Sequence, residues 1–405
     1  MDEPFMGTLF NSNDEEIETD LEPLVYDVWS SDAPRDAQWT SMVKRVDSIL
    51  KERVVKARLR KPFDPTDAVM DVEFDGGKSD FVGWSADKLE YPPEFWKCAR
   101  LSAELSILHW LEAHAPDLPV PRVLASDNVS CLHVTTVMPG LDAMHSYPRL
   151  SAPAKENSVI SWARVSVSMF RLPVPQQFGM IENPFVKGHP HIYVSPEHTF
   201  DISNTPDLVS FFETAITMRR SRSLAVNDAE SHSILCRRLD HLLEGLQPLI
   251  ALAQSDPSTS RFTLTHRDLR PNNVMLNESS GEVVGIVDWE FNECLPACMS
   301  AVYPDWIRPP IIESALYENP TNKFVTFFLE PQPERDRLCD LYEKTVKELD
   351  EDYHTCLIHG TRLRDALAWI EVYHNRDRDN DGECMDRWVE DHLFTDGAAG
   401  GHRCA

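Results

Sequence analysis

Three polar side chains whose types suit phosphate chemistry lie within one short stretch of the chain. Asp268 and Asn273 are five residues apart, and Asp288 follows fifteen residues after Asn273. Carboxylate and carboxamide oxygens are hard ligands that suit Mg²⁺, which usually binds one or two carboxylates together with substrate phosphates. Asp268 is then left to accept the proton of an attacking hydroxyl. These residue types indicate phosphoryl transfer, in which positioning and charge neutralisation do most of the catalysis.

The pattern around these residues predicts how they meet. Apolar residues alternate with threonines from Phe262, and a polar segment then runs from His266 to Asn273. The turn residues 277–281 separate two short apolar runs, 274–276 and 283–287, which is typical of a β-hairpin. Antiparallel pairing brings the start of the first strand and the end of the second to the same open end. Asn273 and Asp288 are therefore expected side by side, with Asp268 in the loop that leads there.

Two motifs in this stretch carry a family resemblance. The run His266–Asp268, followed by Asn273, matches the kinase catalytic loop H-x-D-x-x-x-x-N. The run Asp288–Glu290 reads Asp-Trp-Glu and resembles the metal-binding motif of the aminoglycoside phosphotransferase (APH)-like family of the protein-kinase-like superfamily, fungal type. Protein kinases have Asp-Phe-Gly there. Motif and hairpin context together make the resemblance specific.

The resemblance implies a role for each matching residue. Asp268 is the expected catalytic base, with His266 and Arg267 beside it in the catalytic loop. Asn273 and Asp288 are the expected ligands of Mg²⁺ and, through the metal, of ATP. The implied cofactors are therefore ATP and Mg²⁺.

The first part of the chain has the expected order of a kinase small lobe. A turn signal, Asp75-Gly76-Gly77, separates two of its strands, and a hinge is expected near Met138 to Leu141. Glu104 matches the helix glutamate of the family, and we include it and Met138 among the nucleotide-binding residues. The predicted elements are a helix at 37–54, strands at 54–59, 68–74 and 81–85, a helix at 93–113 and a strand at 132–138.

This part departs from the family pattern at two places. Trp84 stands where the strand should carry Lys or Arg, and the sequence does not choose among Lys78, Lys88 and Lys97 as a replacement. The expected phosphate loop, Arg60–Asp67, has two prolines and no glycine, although close backbone approach to phosphates favours glycine.

From residue 151 onward the apolar periodicity is mostly helical. The fold class expected is therefore α+β, a two-lobed protein-kinase-like fold with a small antiparallel β-sheet lobe and a larger, mainly helical lobe. The expected domains are an acidic, poorly ordered tail at 1–36, the small lobe at 37–140 and the large lobe at 141–405. The predicted helices are 154–170, 207–218, 231–253, 334–353 and 362–373.

Composition narrows the possible partners and location. The 405 residues carry a net charge of −27, which argues against nucleic acid and anionic membranes. The first residues lack the pattern of a signal peptide, and no apolar run reaches the length of about 20 residues that spans a membrane. Nine cysteines without paired spacing indicate reduced thiols and a cytoplasmic location.

Three functions compete on these grounds. The first is ATP- and Mg-dependent phosphorylation of a small-molecule hydroxyl, on an aminoglycoside-like compound or another metabolite. The second is a degenerate kinase fold that binds nucleotide or a partner without turnover. A protein kinase is the third, and the missing Ala-Pro-Glu argues against it. A cationic acceptor would need acidic neighbours, and the sequence does not choose among Glu290, Glu293, Asp305 and the residues of the C-terminal helices.

Overall fold

The structure is a computed structural model of the 405-residue chain. It describes residues 9–10, 16–17, 25–26, 54–59, 67–74, 79–85, 94–127, 132–181, 192–194, 199–201, 205–226, 229–308, 330–371 and 379–394. Side chains are described for residues 103–126, 133–181, 205–226, 229–308, 330–371 and 384–394. The predicted helix at 37–54, Lys78, Lys88 and the loop residues 60–66 lie outside the described residues.

The chain divides into two compact units, the first formed by residues 1–101 and 122–137 and the second by residues 102–121 and 138–405. The domain boundaries proposed from the sequence stay a prediction. Elements of the first unit are the strands β1 Leu9–Phe10, β2 Glu16–Ile17, β3 Val25–Tyr26, β4 Val54–Leu59, β5 Asp67–Phe74 and β6 Ser79–Ser85, the N-terminal part of helix α1 Glu94–His114, and the strands β7 Val123–Asp127 and β8 Leu132–Thr136.

An antiparallel sheet forms the first unit, in the order β3-β4-β5-β6-β8-β7. Strand β6 is central, since it pairs with β5 on one side and with β8 on the other. The prediction that residues 81–85 form a central strand of this sheet is confirmed. Trp84 lies in the ladder opposite Ala68 and Leu132.

Helix α1 passes from the first unit into the second. Its apolar residues recur every three or four positions, and Leu105, Leu108 and Leu111 are all nearly inaccessible to solvent. The helix ends at His114, where Pro116 and Pro119 follow.

The second unit is mainly helical, as the sequence predicts. Its remaining elements in chain order are β9 Leu141–Asp142, α2 Ala143–Ser146, α3 Ala152–Phe170, β10 Ile192–Val194, β11 Thr199–Asp201, α4 Leu208–Val226, α5 Ala229–Ser255, α6 Pro257–Ser260, β12 Phe262–His266, β13 Val274–Leu276, β14 Val283–Ile286, β15 Asn292–Pro296, α7 Ala297–Ser300, α8 Gln332–Leu349, α9 Glu351–His359, α10 Thr361–Glu371 and α11 Asp379–Val389.

The core of this unit lies where α4, α5, α10 and α11 pack together. Helix α5 contributes a repeating row of buried leucines, among them Leu239, Leu242 and Leu246, while α10 contributes Leu367 and Ile370. Burial of each such aliphatic side chain stabilises the fold by about 1.5–3 kcal/mol. The same cluster includes Leu295 of β15, so the helices hold the β12–β15 region in place.

One predicted helix is two helices in the structure. The sequence pattern predicts a single helix at 334–353, but α8 ends at Leu349 and α9 begins at Glu351. Asp350 between them has an extended backbone, and its carboxylate accepts a hydrogen bond from the Tyr353 amide at 2.9 Å. An aspartate at this position caps a new helix, so the chain changes direction although the apolar periodicity continues.

No helix in the described part of the chain is long and apolar enough to cross a membrane. Among the cysteines whose side chains the structure describes, the free thiols are Cys236, Cys294, Cys298, Cys339, Cys356 and Cys384.

Candidate active site

Strand β12 delivers the catalytic loop. It pairs antiparallel with β15, and His266, its last residue, lies opposite Asn292. The Arg267 amide then donates to the Phe291 carbonyl at 2.8 Å, which fixes the first residue after the strand. A short 3-10 turn, Pro271–Asn273, leads directly into β13. The sequence from His266 to Asn273 is thus held at both ends by β-structure.

The predicted hairpin is present. Strand β13 pairs with β14, Val274 opposite Ile286, and the Val287 amide donates to the Asn273 carbonyl at 3.0 Å. Gly281 closes the turn with φ of +73°, and a Cβ there would overlap the backbone carbonyl of Ala154 on α3. Only glycine combines that backbone conformation with such a close approach.

The three predicted polar side chains converge at the open end of the hairpin. Asn273 Nδ2 donates to Asp268 Oδ2 at 3.1 Å and to the Asp268 carbonyl at 2.8 Å. The same Nδ2 lies 3.4 Å from Asp288 Oδ2. The Asn273 side chain is almost fully buried, at 4% exposure, and stands between the two half-buried aspartates. One carboxamide therefore ties the loop carboxylate to the hairpin carboxylate.

The His266 side chain is buried beneath this loop and contacts protein groups. It is 3% exposed; its Nδ1 accepts from the Asp268 amide at 3.2 Å, and its Nε2 donates to the Val287 carbonyl at 3.0 Å. These partners require a neutral ring with the proton on Nε2. Burial lowers the pKa of His266 to about 4, which agrees with that tautomer. The imidazole thus joins Asp268 to Val287, the residue preceding Asp288.

Asp288 has an unusual backbone. With φ of 66° and ψ of 54° it is left-handed, and no other non-glycine residue among those described has a positive φ. The turn that follows is well anchored, because the buried Trp289 donates from its indole to the Ile286 carbonyl at 3.0 Å. A left-handed aspartate costs about 1–2 kcal/mol, and such strain clusters at functional sites.

Two charged residues of the site, Arg270 and Glu371, were not singled out by sequence reasoning. Arg270 Nε lies 2.9 Å from Asp268 Oδ1. Arg267 donates two hydrogen bonds to Glu371, at 2.7 and 2.8 Å, and its Nε lies 3.6 Å from Glu293 Oε2. Arg270 is two residues from the base and could have been found by its charge alone. Glu371 is 104 residues from Arg267, and no local pattern predicts that contact.

Two predicted nucleotide-binding residues lie on other elements. Met138 is half-buried and packs on the hairpin, where its Cβ would touch any side chain placed at Gly285. Glu104 is half-buried on α1, beside the buried Leu105. The side chain of Trp84, which stands where the strand should carry Lys or Arg, lies outside the described side chains.

The donor set fits a hard divalent cation. Asp288 offers a carboxylate and Asn273 a carboxamide oxygen from adjoining side chains, and both are ligands that Mg²⁺ accepts. Asn273 Oδ1 accepts from Asn272 Nδ2 at 3.0 Å, a neutral contact that metal binding would replace. The residues present are thus compatible with the implied metal.

Sheet, hairpin and helical unit together define a protein-kinase-like phosphotransferase fold, which confirms the predicted fold class. Residues 50–294 match the sequence model of the phosphotransferase enzyme family (APH), so the chain belongs to that family. It is also similar to "Clavilactone A biosynthesis cluster protein Y" of Ampulloclitocybe clavipes, with 22% identity over 286 residues, or 68% of this chain and 69% of that protein.

Solved structures support the fold. The streptomycin–ATP complex of APH(2'')-IIa superposes with a TM-score of 0.50 at 10% identity, covering 89% of this chain and 99% of that one. The ADP-bound aminoglycoside phosphotransferase APH(2'')-Ib gives 0.50 at 12% identity over 87% and 99% of the two chains. A putative fructosamine-3-kinase from Thermobifida fusca YX-ER1 gives 0.51 at 16% over 86% and 98%.

Proposed function

We propose that the protein is a small-molecule kinase that transfers the γ-phosphate of ATP to a hydroxyl group. The observation that carries this proposal is the convergence of Asp268, Asn273 and Asp288 at the end of one hairpin, with Asn273 Nδ2 within 3.4 Å of both carboxylates. A buried carboxamide between two carboxylates adds nothing to a hydrophobic core, whereas phosphoryl transfer requires this group of side chains. Membership of the phosphotransferase family supports the same reaction class.

Asp268 is the proposed base. Its Oδ2 is held by Asn273, and its amide is held by His266, so the carboxylate keeps one orientation as the acceptor hydroxyl loses its proton. Arg270 is half-exposed and places a positive charge beside the same carboxylate. The Arg270 guanidinium would there offset the negative charge of a transferring phosphoryl group.

Asn273 and Asp288 are the residues that would hold Mg²⁺, which when bound neutralises the charge on the phosphates. Glu104 and Met138 remain proposed nucleotide-binding residues. The similar structures of APH(2'')-IIa and APH(2'')-Ib are bound to ATP and ADP, which supports nucleotide use here but says nothing of the metal. A cytoplasmic location is part of the same proposal.

The acceptor we propose is a hydroxyl-bearing small molecule, with a cationic compound as the first class to screen. The similar APH(2'')-IIa structure holds streptomycin beside ATP. For this chain the support is its net charge of −27, which raises the local concentration of cations. Glu293, one of the candidate acceptor residues, is 2% exposed and paired with Arg267, so it is not available to an acceptor.

Calorimetry of ATP binding, with and without Mg²⁺, tests the proposal before any acceptor is known. We expect binding that depends on Mg²⁺ in the wild type and is lost in Asp288→Asn. Asp340→Asn, on the exposed face of α8, is the matched control and should bind as the wild type does. An ATP-consumption screen over hydroxyl-bearing metabolites then identifies the acceptor.

Absence of Mg-ATP binding at millimolar nucleotide would overturn the kinase proposal. The degenerate kinase fold, for which Trp84 at the strand basic position and the glycine-free loop 60–67 are the motivating residues, would then be the better account. Binding of nucleotide without turnover of any acceptor, together with an unchanged affinity in Asp268→Asn, would favour the same alternative.

A further inference from the structure

The arginine that precedes the proposed base is clamped by a distant helix. Both Glu371 oxygens accept from Arg267 Nη2, at 2.7 and 2.8 Å, and neither side chain is more than 16% exposed. Glu371 is the last residue of α10, and this helix belongs to the core of the second unit through Leu367 and Ile370. A charge-assisted contact of this kind is strong and directional.

A second carboxyl group faces the same guanidinium. Glu293 lies on β15 opposite Thr265, the residue before His266, and its Oε2 is 3.6 Å from Arg267 Nε. It is 2% exposed, and its two oxygens accept no hydrogen bond from any described residue. Two carboxyl groups thus surround one buried arginine.

The two carboxyl groups differ in their contacts, since Glu371 accepts two hydrogen bonds and Glu293 accepts none from the described residues. Burial raises the pKa of Glu293 well above its usual value; Arg267 opposes this rise, and the negative charge of Glu371 adds to it. Burial also raises the pKa of Glu371, but Arg267 and, from α4, Arg222 oppose that rise. Glu371, which accepts both hydrogen bonds, is therefore the main charge partner of Arg267. The other titratable neighbour is Cys294, whose thiol pKa burial raises to about 12.

Arg267 transmits this clamp to the catalytic loop. Its amide donates to the Phe291 carbonyl at 2.8 Å, and the next amide, that of Asp268, donates to His266 Nδ1. The backbone of Arg267 is therefore held by the turn before β15, and its side chain is held by α10. A shift of the loop backbone at residues 267–268 must release one of these contacts.

We infer that Glu371 is a positioning residue, which holds Asp268 in place through Arg267 without touching the reactants. The inference rests on the proposed function for its catalytic meaning, since Asp268 is the proposed base. One part of the inference does not depend on turnover, namely that the Glu371 carboxylate keeps the loop 266–273 rigid.

Hydrogen–deuterium exchange of the full-length protein tests that content directly. In Glu371→Gln the amides of residues 267–270 should exchange at least about tenfold faster than in the wild type, because a hydrogen bond to a charged group contributes more than a factor of ten to an equilibrium. Glu343→Gln is the matched control. Glu343 is a half-buried glutamate on α8 that accepts one hydrogen bond, from Tyr303, and its substitution should leave loop exchange unchanged.

Steady-state kinetics separates an effect on the position of Asp268 from a general loss of structure, because the first lowers kcat and leaves KM for ATP nearly unchanged. With an acceptor in hand, Glu371→Gln should lower kcat about tenfold or more and leave KM for ATP within about twofold. Arg267→Lys retains the charge but not the paired hydrogen bonds, and should show the same exchange and the same kcat effect. It also replaces Glu371→Gln if that variant does not fold.

Unchanged loop exchange in Glu371→Gln, or faster exchange across the whole second unit, would overturn the inference. A normal kcat in a variant with a loosened loop would overturn it too. Failure of the proposed function is visible separately: a wild type that does not bind Mg-ATP fails in calorimetry, while the exchange experiment still decides whether Glu371 rigidifies the loop.

Discussion

At the scale of single residues, Asp288 combines a proposed metal-binding carboxylate with a left-handed backbone. Asparagine tolerates that conformation better than alanine does. We therefore expect Asp288→Asn to fold with nearly wild-type stability and to lose Mg-dependent nucleotide binding. Asp288→Ala should lose the same binding and also about 1 kcal/mol of stability. Calorimetry with Mg-ATP and chemical denaturation measure the two effects, and unchanged Mg-ATP affinity in either variant would reject the ligand assignment.

His266 gives a second prediction at this scale. Because burial lowers its pKa to about 4, the folded protein binds a proton there less readily than the unfolded chain, whose histidines titrate near 6.5. Its contribution to stability is complete above pH 6.5 and is lost as pH falls from 6.5 toward about 4. An NMR titration of the imidazole, assigned by its absence in His266→Asn, should show a midpoint far below 6.5. A midpoint near the ordinary value would contradict the buried neutral ring.

Glu293 predicts the opposite trend with pH. Its pKa is raised by burial above the ordinary value of 4.5, so folding takes up a proton in the window between the two values. That contribution is complete below pH 4.5 and is lost as pH rises through the raised pKa. Glu293→Gln carries no such proton, so its melting temperature relative to wild type should improve between about pH 5 and about pH 8. A difference that does not change with pH would mean that Glu293 is ionised in the folded protein.

The polar residues of the site divide clearly into those that sequence predicts and those that it does not. Asp268, Asn273 and Asp288 sit within one local strand–loop–hairpin unit, so their spacing already determines that they meet. Glu371 reaches Arg267 only because α10 packs in the core, and this packing depends on the whole second unit. The catalytic roles assigned to His266 and Arg267 stay predictions, although both side chains bond to protein groups.

At the scale of elements, the break between α8 and α9 gives a prediction. Asp350 accepts a hydrogen bond from the Tyr353 amide. Its Oδ2 also lies 2.6 Å from Nε of Arg171, the residue that follows α3. Asp350→Ala should lower the free energy of unfolding by about 1 kcal/mol, mostly through the lost cap. The contact with Arg171 adds little, because that side chain is 55% exposed. Denaturation of Asp340→Ala, at an exposed position on α8, should give a change near zero.

The same break shows what periodicity misses. Apolar residues continue at helical spacing across 334–353, so their pattern predicts one helix. Asp350 does not interrupt the apolar pattern, yet its backbone is extended and ends the first helix. Its side chain accepts a hydrogen bond from the Tyr353 amide and so caps the second helix. By contrast, the ends of β4 and the position of the hairpin agree with the sequence prediction. Turn residues and β-branched runs indicate both from the local sequence.

At the scale of the whole molecule, the net charge of −27 acts on every ligand that approaches. If the acceptor is cationic, raising the salt concentration from about 50 to about 500 mM should raise its KM several-fold, because screening shortens the range of attraction. The kcat value and the KM for a neutral acceptor should not follow this trend. If KM depends on salt equally for charged and neutral acceptors, the negative charge of the protein does not attract the acceptor and contributes only to solubility.

Fold class is predictable at this scale from the order of strands and helices, and the sheet order with β6 at its centre agrees. The replacement for the missing strand cation is not predictable in the same way. The sequence does not select one of Lys78, Lys88 and Lys97, and their side chains lie outside the described residues. The choice depends on which lysine lies nearest to the bound phosphates, and the local sequence contains no signal for that distance.

The backbone of Asp288 also bears on how such a protein would evolve under different selections. Glycine adopts φ of 66° without steric cost, so Asp288→Gly should relieve strain that the native aspartate carries. Natural proteins commonly give up stability where activity needs it. A randomised library selected for heat resistance alone should therefore enrich glycine at position 288, and the winners should be inactive. Selection for turnover should restore aspartate, so the residue at this one position records which of the two pressures a lineage has experienced.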